Sequence, residues 1–318
     1  MSILDNTRLM VKVCKLCYEE NMSQAEVSEK LHISKPQISR IINAAREKGI
    51  LNIYISNPFA EELELEKIFI EKYGLDQVFI ADAGDGPSEA QFASFTRQCA
   101  QQLESIMPDN ANIGVMSGKT ISAVAKQFPT AKKKHLHFIP LVGAMGNSGN
   151  DWNANSIARI LAFKTDSSYS VLNAPVLTQS QQARDYFVQE PDIASVLKEG
   201  ETCNMALVGI GQISTHSTAY LSGAYQDEDL TALKKAGAVA SVSISYINKN
   251  GNIIETSLSN RSIAWPLKKY PKTNVVLIAT GLSKAEGLTA VLKGGYINTL
   301  MISLRLAKAI LQLESETS

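Results

Sequence analysis

Apolar residues recur at Leu9, Met10, Val13, Leu16 and Cys17 within Leu4 to Glu20, the spacing of one helical face. A second helix opens at Ser23-Gln-Ala-Glu26, where the serine hydroxyl and the glutamate three residues on can satisfy each other's exposed amides. It carries Ala25, Val27 and Leu31, and a short turn at His32-Ile33 follows. Ser34-Lys-Pro-Gln37 repeats the capping pattern, with Pro36 in the first turn, where its missing N–H costs nothing. The helix it starts carries Ile38, Ile41 and Ile42 on one side, and Gly49 stops it. Two short, separately capped helices joined by a tight turn predict a helix-turn-helix. The β-rich run Ile50–Ser56 predicts one strand of a wing.

After Asn57-Pro58 the periodicity changes. An acidic helix is expected from Glu61 to Tyr73, ending at Gly74. Short apolar strands are then expected at Gln77–Ala81, Asn112–Met116, His137–Leu141, Ser170–Leu172, Met205–Ile210, Ser241–Ile247, Asn274–Ala279 and Tyr296–Met301, with helical stretches between most of them. That alternation implies an α/β body, doubly wound about a largely parallel sheet. The expected division is residues 1–57 for a winged helix-turn-helix and residues 58–318 for a ligand-binding and oligomerisation domain.

Composition narrows the function. The chain has 318 residues, 45% of them hydrophobic and 19% charged, with a formal net charge of zero. Residues 1–57 hold eight Lys and Arg against six acids, so the first segment carries +2 and the remainder −2. The asymmetry has the sign DNA binding requires, but a single copy would hold DNA weakly, so several reading heads are expected. No apolar stretch reaches a membrane span and no signal peptide pattern opens the chain, which reads as cytoplasmic. Cys14 and Cys17 form a C-x-x-C inside a helical pattern with no second Cys/His pair nearby, so helix packing is expected of them, and no metal site.

On the second helix of the motif, Ser34, Lys35, Pro36, Gln37, Ser39, Arg40 and Asn43 fall away from the isoleucine face. Hydrogen-bonding side chains of this kind can reach base edges and phosphates in a major groove. In the body, ligands of a doubly wound sheet gather at the carboxyl ends of its strands. Ser117-Gly118-Lys119-Thr120 ends a strand and opens a helix, offering free amides, two hydroxyls and a positive charge to an oxyanion. Its glycine spacing is not that of a P-loop. Gly143-Ala144, Gly209-Ile-Gly211-Gln212 and the loop ending in Lys284 complete four strand-end segments, although each glycine could serve a tight turn alone.

These segments together resemble the SorC/DeoR-type sugar-responsive bacterial regulators over nearly the whole chain. The likeness rests on Met22–Arg40, Ala45–Ile50, Ala206-Leu-Val-Gly-Ile-Gly211, Gly237-Ala-Val-Ala240 and Ala279-Thr-Gly-Leu-Ser-Lys-Ala-Glu-Gly, with Leu292–Asn298 beyond. It implies a body similar in fold to sugar-phosphate isomerases and deaminases that senses rather than catalyses. It also implies operator DNA as partner, a phosphorylated sugar as effector, no cofactor, and a homo-oligomer, usually a tetramer. By the same resemblance Ser117 to Thr120 match the phosphate-binding turn, and Gly209, Gly211 and Lys284 the glycine and lysine loops. Three positions depart from the family pattern. Asn248 stands where many members have an aspartate, Ser303 replaces another, and Val142 occupies the place of a lysine that forms an imine in some relatives.

The loss of carboxylates leaves room for a more anionic effector, such as a citrate-like acid or a bisphosphate. An enzymatic reading, isomerase or deaminase, needs a poised acid or base. His216 is the one candidate among four histidines, no carboxylate accompanies it in sequence, and no catalysis is expected.

Overall fold

The computed structural model describes residues 6–53, 57–130, 135–146 and 151–317. Its contacts separate into two compact units, Met1–Pro58 and Phe59–Ser318.

The first unit holds three helices: α1 (Thr7–Tyr18), α2 (Gln24–Leu31) and α3 (Lys35–Glu47). Met10, Val13, Cys14 and Leu16 of α1, Val27 of α2, and Ile38, Ile41, Ile42 and Ala45 of α3 close one small core. Asn6 caps α1 by accepting the Leu9 amide, and Ser23 caps α2 by accepting that of Glu26 at 3.3 Å while Glu26 reaches back to the Ser23 amide at 2.7 Å. His32 ends α2 in the left-handed region at φ +53°, which turns the chain into Ser34, the residue preceding α3. Residues 50–53 form no strand; the rest of the expected wing strand, residues 54–56, lies outside the described residues.

In the second unit, α4 (Ala60–Tyr73) leads into β1 (Gln77–Ala81). There follow α5 (Ser88–Ile106), β2 (Asn112–Val115), α6 (Lys119–Gln127), β3 (His137–Pro140), α7 (Ala154–Thr165) and β4 (Ser168–Tyr169). Helices α8 (Gln181–Phe187) and α9 (Pro191–Glu201) precede β5 (Met205–Val208). A subsidiary region comprises β6 (Gly211–Gln212), α10 (Thr218–Leu221), α11 (Asp227–Lys235), β7 (Ala238–Val242), β8 (Ser245–Asn248), β9 (Ile253–Ile254) and α12 (Ser257–Asn260). The chain then returns through β10 (Asn274–Ala279), a 3-10 turn at Leu282–Lys284, α13 (Ala285–Gly294), β11 (Thr299–Ser303) and α14 (Leu304–Thr317).

Seven strands pair in the order β1-β11-β10-β5-β2-β3-β4, every pair parallel. The central strands are buried on both faces and largely apolar, as in Met205–Val208, whereas the edge strand β4 is exposed, and alternate residues of the central strands enter opposite cores. Val275, Leu277 and Ala279 of β10 join a cluster with α13 and α14, while Val276 and Ile278 join one with α5, α6 and α7. The sheet is therefore doubly wound. The chain leaves β2 toward β3 on one side and leaves β5 toward β10 on the other, so the switch point lies between adjacent β2 and β5. A ligand crevice is expected at their carboxyl ends. The four short strands form a separate antiparallel sheet, β6-β7-β8-β9.

Three strand expectations need correction. Ser241–Ile247 is not one strand: the chain reverses at Ser243-Ile244, with Ser243 at φ +57°, and β7 and β8 pair as a hairpin. The fourth strand lies at Ser168–Tyr169 rather than Ser170–Leu172, and the last begins at Thr299 rather than Tyr296.

Candidate functional site

In the first unit, Ser34, Lys35, Pro36, Arg40 and Asn43 are exposed and Gln37 and Ser39 half-buried, on the side of α3 opposite its isoleucines. Gln37 has a structural duty as well. Its side-chain oxygen accepts the Ser34 amide at 3.2 Å and the Ser34 hydroxyl at 2.9 Å, holding the first turn of α3. Cys14 is buried and Cys17 partly so, both as free thiols, and burial pushes both above the ordinary thiol pKa. Among the described residues no group of three or more His, Cys, Asp or Glu is placed to hold a metal.

In the second unit a cavity of about 240 Å³ opens at the switch point. Eight of the residues singled out from sequence line it: Ser117, Gly118, Lys119 and Thr120 after β2, Gly209, Gly211 and Gln212 after β5, and Lys284 after β10. The turn after β2 is pinned from outside. The Gly118 amide donates to the Trp152 carbonyl at 2.9 Å, and the Ser117 hydroxyl accepts the Ala154 amide at 3.0 Å. The amides left for a ligand are those of Lys119, Thr120 and Ile121, which open α6 and have no intrahelical acceptor. Lys119 is exposed, and Lys284, half-buried, is pushed below the ordinary lysine pKa by desolvation. Gln212 fixes the loop before Lys284 by donating from Nε2 to the Ser283 carbonyl at 2.6 Å.

Gly143, Ala144 and Asn248 do not join the cavity. A Cβ on Gly143 would stand 2.4 Å from the Pro175 carbonyl oxygen, so this glycine serves close backbone approach. Ala144 exchanges hydrogen bonds with the chain at Ala174 and Val176. The Asn248 side chain accepts the amides of Asn250 and Asn252, both at 3.0 Å, and shapes the turn between β8 and β9. Ser303 also lies elsewhere, accepting a hydrogen bond from Thr280 at 3.0 Å. Val142 does line the cavity, and its aliphatic side chain cannot form an imine.

Sequence reasoning missed part of the wall. Ser217, Tyr225, Ser241 and Ser243 line it, beside His216, which the sequence singles out as the one candidate acid or base. The Tyr225 hydroxyl pairs with that of Tyr246 at 2.8 Å, and burial pushes Tyr225 up to about 12. Ser241 and Ser243 come from the hairpin that periodicity read as one strand. Among the described residues no Asp or Glu lines the cavity, and His216 makes no hydrogen bond or ion pair. A cavity with two lysines, free helix-terminal amides and several hydroxyls attracts an oxyanion.

A doubly wound domain with such a crevice, behind a helix-turn-helix, defines a ligand-responsive DNA-binding protein. Residues 57–312 match the family described as "Putative sugar-binding domain", and the chain belongs to it. It is similar to the deoxyribonucleoside regulator of Bacillus subtilis, 26% identical over 309 residues covering 96% of this chain and 98% of that one. Among solved structures it is similar to a DeoR family transcriptional regulator from Listeria monocytogenes, with 28% identity, TM-score 0.73, and coverage of 78% of this chain and 99% of that one. The full-length sorbitol operon regulator SorC from Klebsiella pneumoniae shares the fold, with 23% identity, TM-score 0.74, and coverage of 96% and 99%. The chain is thus of the SorC/DeoR type, a transcriptional regulator with a sugar-binding domain.

Proposed function

We propose that this regulator controls a carbohydrate-utilisation operon through a small phosphorylated sugar bound at the switch-point cavity. The observation that carries the reading is the convergence of Lys119, Lys284 and the α6 amides on one cavity free of carboxylates. The phosphate sits against Lys119, Thr120 and the α6 amides, with Lys284 supplying the second positive charge and Gly209, Gly211 and Gln212 the floor. Residues 1–57 read DNA, with Ser34, Lys35, Gln37, Ser39, Arg40 and Asn43 of α3 at the major groove and Pro36 setting its first turn. Residues 58–318 bind the effector and assemble the oligomer, a tetramer that multiplies weak single-head contacts.

The body binds its ligand without turning it over, since among the described residues no carboxylate orients His216. Control requires the effector to favour one quaternary arrangement, by about 1–3 kcal/mol on the usual scale. The carboxylate-free wall also favours a second reading, in which a di- or tricarboxylate replaces the phosphosugar. A thermal-shift panel of sugar phosphates, bisphosphates and citrate-like acids tests the site. Stabilisation by phosphorylated sugars that Lys119→Ala abolishes supports the main reading, stabilisation by carboxylic acids alone supports the second, and stabilisation by neither overturns both.

A further inference from the structure

The seven-stranded sheet has two edges, and the chain treats them differently. Along β1 the helix α4 packs as a cover, and the Glu66 side chain accepts the outward amide of Ile80 at 2.8 Å. At the other edge no strand lies beyond β4. Ser168 and Ser170 direct their amides inward, to the carbonyls of Leu136 and Phe138 at 3.3 and 2.9 Å, and Leu172 donates to the Asn155 side chain at 2.9 Å. The main chain of Tyr169 and Val171, between them, therefore faces outward, where it makes no hydrogen bond among the described residues. Such a row of open amides and carbonyls is a template for a further strand, and proteins ordinarily blunt it with charge, proline or a covering helix.

Here the side chains along the edge are apolar instead. Tyr169 and Val171 are 41% and 45% exposed, and Phe163 of α7 is 89% exposed, the most of any large apolar side chain among the described residues. The end of α7 and the start of β4 border an open groove of about 620 Å³, in which Ile160, Phe163 and Tyr169 sit beside Arg159, Lys164 and Asp166. Lys164 and Asp166 form no ion pair among the described residues, so both signs of charge flank the groove unpaired.

Whatever covers this edge must bring a strand, an apolar surface and charges of both signs. A second copy of this chain brings all three with the same patch, because a two-fold interface joins a surface to itself and requires it to be self-complementary. Building on the reading that the body assembles the oligomer, we infer that β4 and the outer face of α7 form a two-fold interface between copies of this chain. The two β4 strands run antiparallel about an axis at Ser170. Tyr169 then stands opposite the partner's Val171, and each outward amide meets a carbonyl. Phe163 fills the groove of the other copy, with Lys164 and the partner's Asp166 offering opposite charges across it. The sheet thus continues from one body into the next.

Sedimentation equilibrium and hydrogen exchange on the full chain test this together. Phe163→Glu alters an exposed side chain, so the melting temperature of the body should hold while the mass of the assembly falls by half. Val171→Pro removes only an outward amide, breaks no bond within one copy, and should halve the mass in the same way. The amides of Tyr169 and Val171 should exchange about tenfold more slowly in the wild-type chain than in Phe163→Glu. A mass that survives either variant, or exchange at Tyr169 and Val171 as fast in the wild type as in Phe163→Glu, overturns the inference and leaves the oligomer standing. A monomeric wild-type chain overturns both.

Discussion

Gln212 and Ser283 join two strand ends that are far apart in sequence: the Gln212 side chain donates to the Ser283 carbonyl at 2.6 Å, immediately before Lys284. The bond ties the β5 side of the crevice to the β10 side and fixes where the lysine emerges. Gln212→Ala should weaken phosphosugar binding by about 1 kcal/mol, the ordinary worth of one such bond, with little change in melting temperature. Calorimetry beside thermal unfolding checks it. A large loss of stability with unchanged affinity would assign Gln212 to the scaffold instead.

Lys284 gives the site a pH signature. Burial lowers its pKa in the free protein, and a bound anion favours the charged form and raises it again. Affinity should therefore be complete below the free-state pKa and fall as pH rises through it, at lower pH than an ordinary lysine would allow. The phosphate contributes nothing to this slope above about pH 7, since its second proton leaves near pH 6. Titrations from about pH 7 to about pH 10 should show the decline with proton uptake on binding, and Lys284→Arg should remove both.

Ser243 holds a left-handed backbone, φ +57°, in the turn between β7 and β8. Replacement by glycine relieves the left-handed strain, partly offset by glycine's greater unfolded-state entropy, for a gain of roughly 0.5–1 kcal/mol. Chemical denaturation of Ser243→Gly measures it.

Gln37 separates capping from DNA reading. Gln37→Glu keeps an acceptor for the Ser34 amide and places negative charge at the start of α3, so the helix should be as stable or more so. The same charge should weaken operator binding by repelling phosphates. Gln37→Ala should lose up to about 1 kcal/mol of stability in addition. Arg40→Ala should leave stability unchanged and cost about 1–3 kcal/mol of operator binding.

Local chemistry made much of this molecule legible in sequence. The caps at Ser23 and Ser34 act over three residues and announce α2 and α3. Continuously apolar strands such as Asn274–Ala279 announce a sheet covered on both faces. What stayed hidden depends on contacts between distant segments. Nothing local distinguishes Gly143, held by Pro175, from Gly211, which lines the cavity and would meet the Ser241 hydroxyl at 2.6 Å if it bore a Cβ. Asn248 carries a side chain suited to ligands, and it folds back on its own turn. The reversal at Ser243-Ile244 lacks the glycine or asparagine that marks most two-residue turns, so alternation ran through it and took Ser241 and Ser243 out of view.

The central claim is that a small phosphorylated ligand in the switch-point cavity governs DNA binding by α3. The most direct measurement is fluorescence anisotropy of labelled operator, selected from random duplex DNA with the full chain, against salt and with increasing phosphosugar. Operator affinity should fall steeply with salt and shift by about 5- to 150-fold on adding effector, a shift absent in Lys119→Ala. Operator binding that ignores salt, or an effector shift that survives Lys119→Ala, would contradict it.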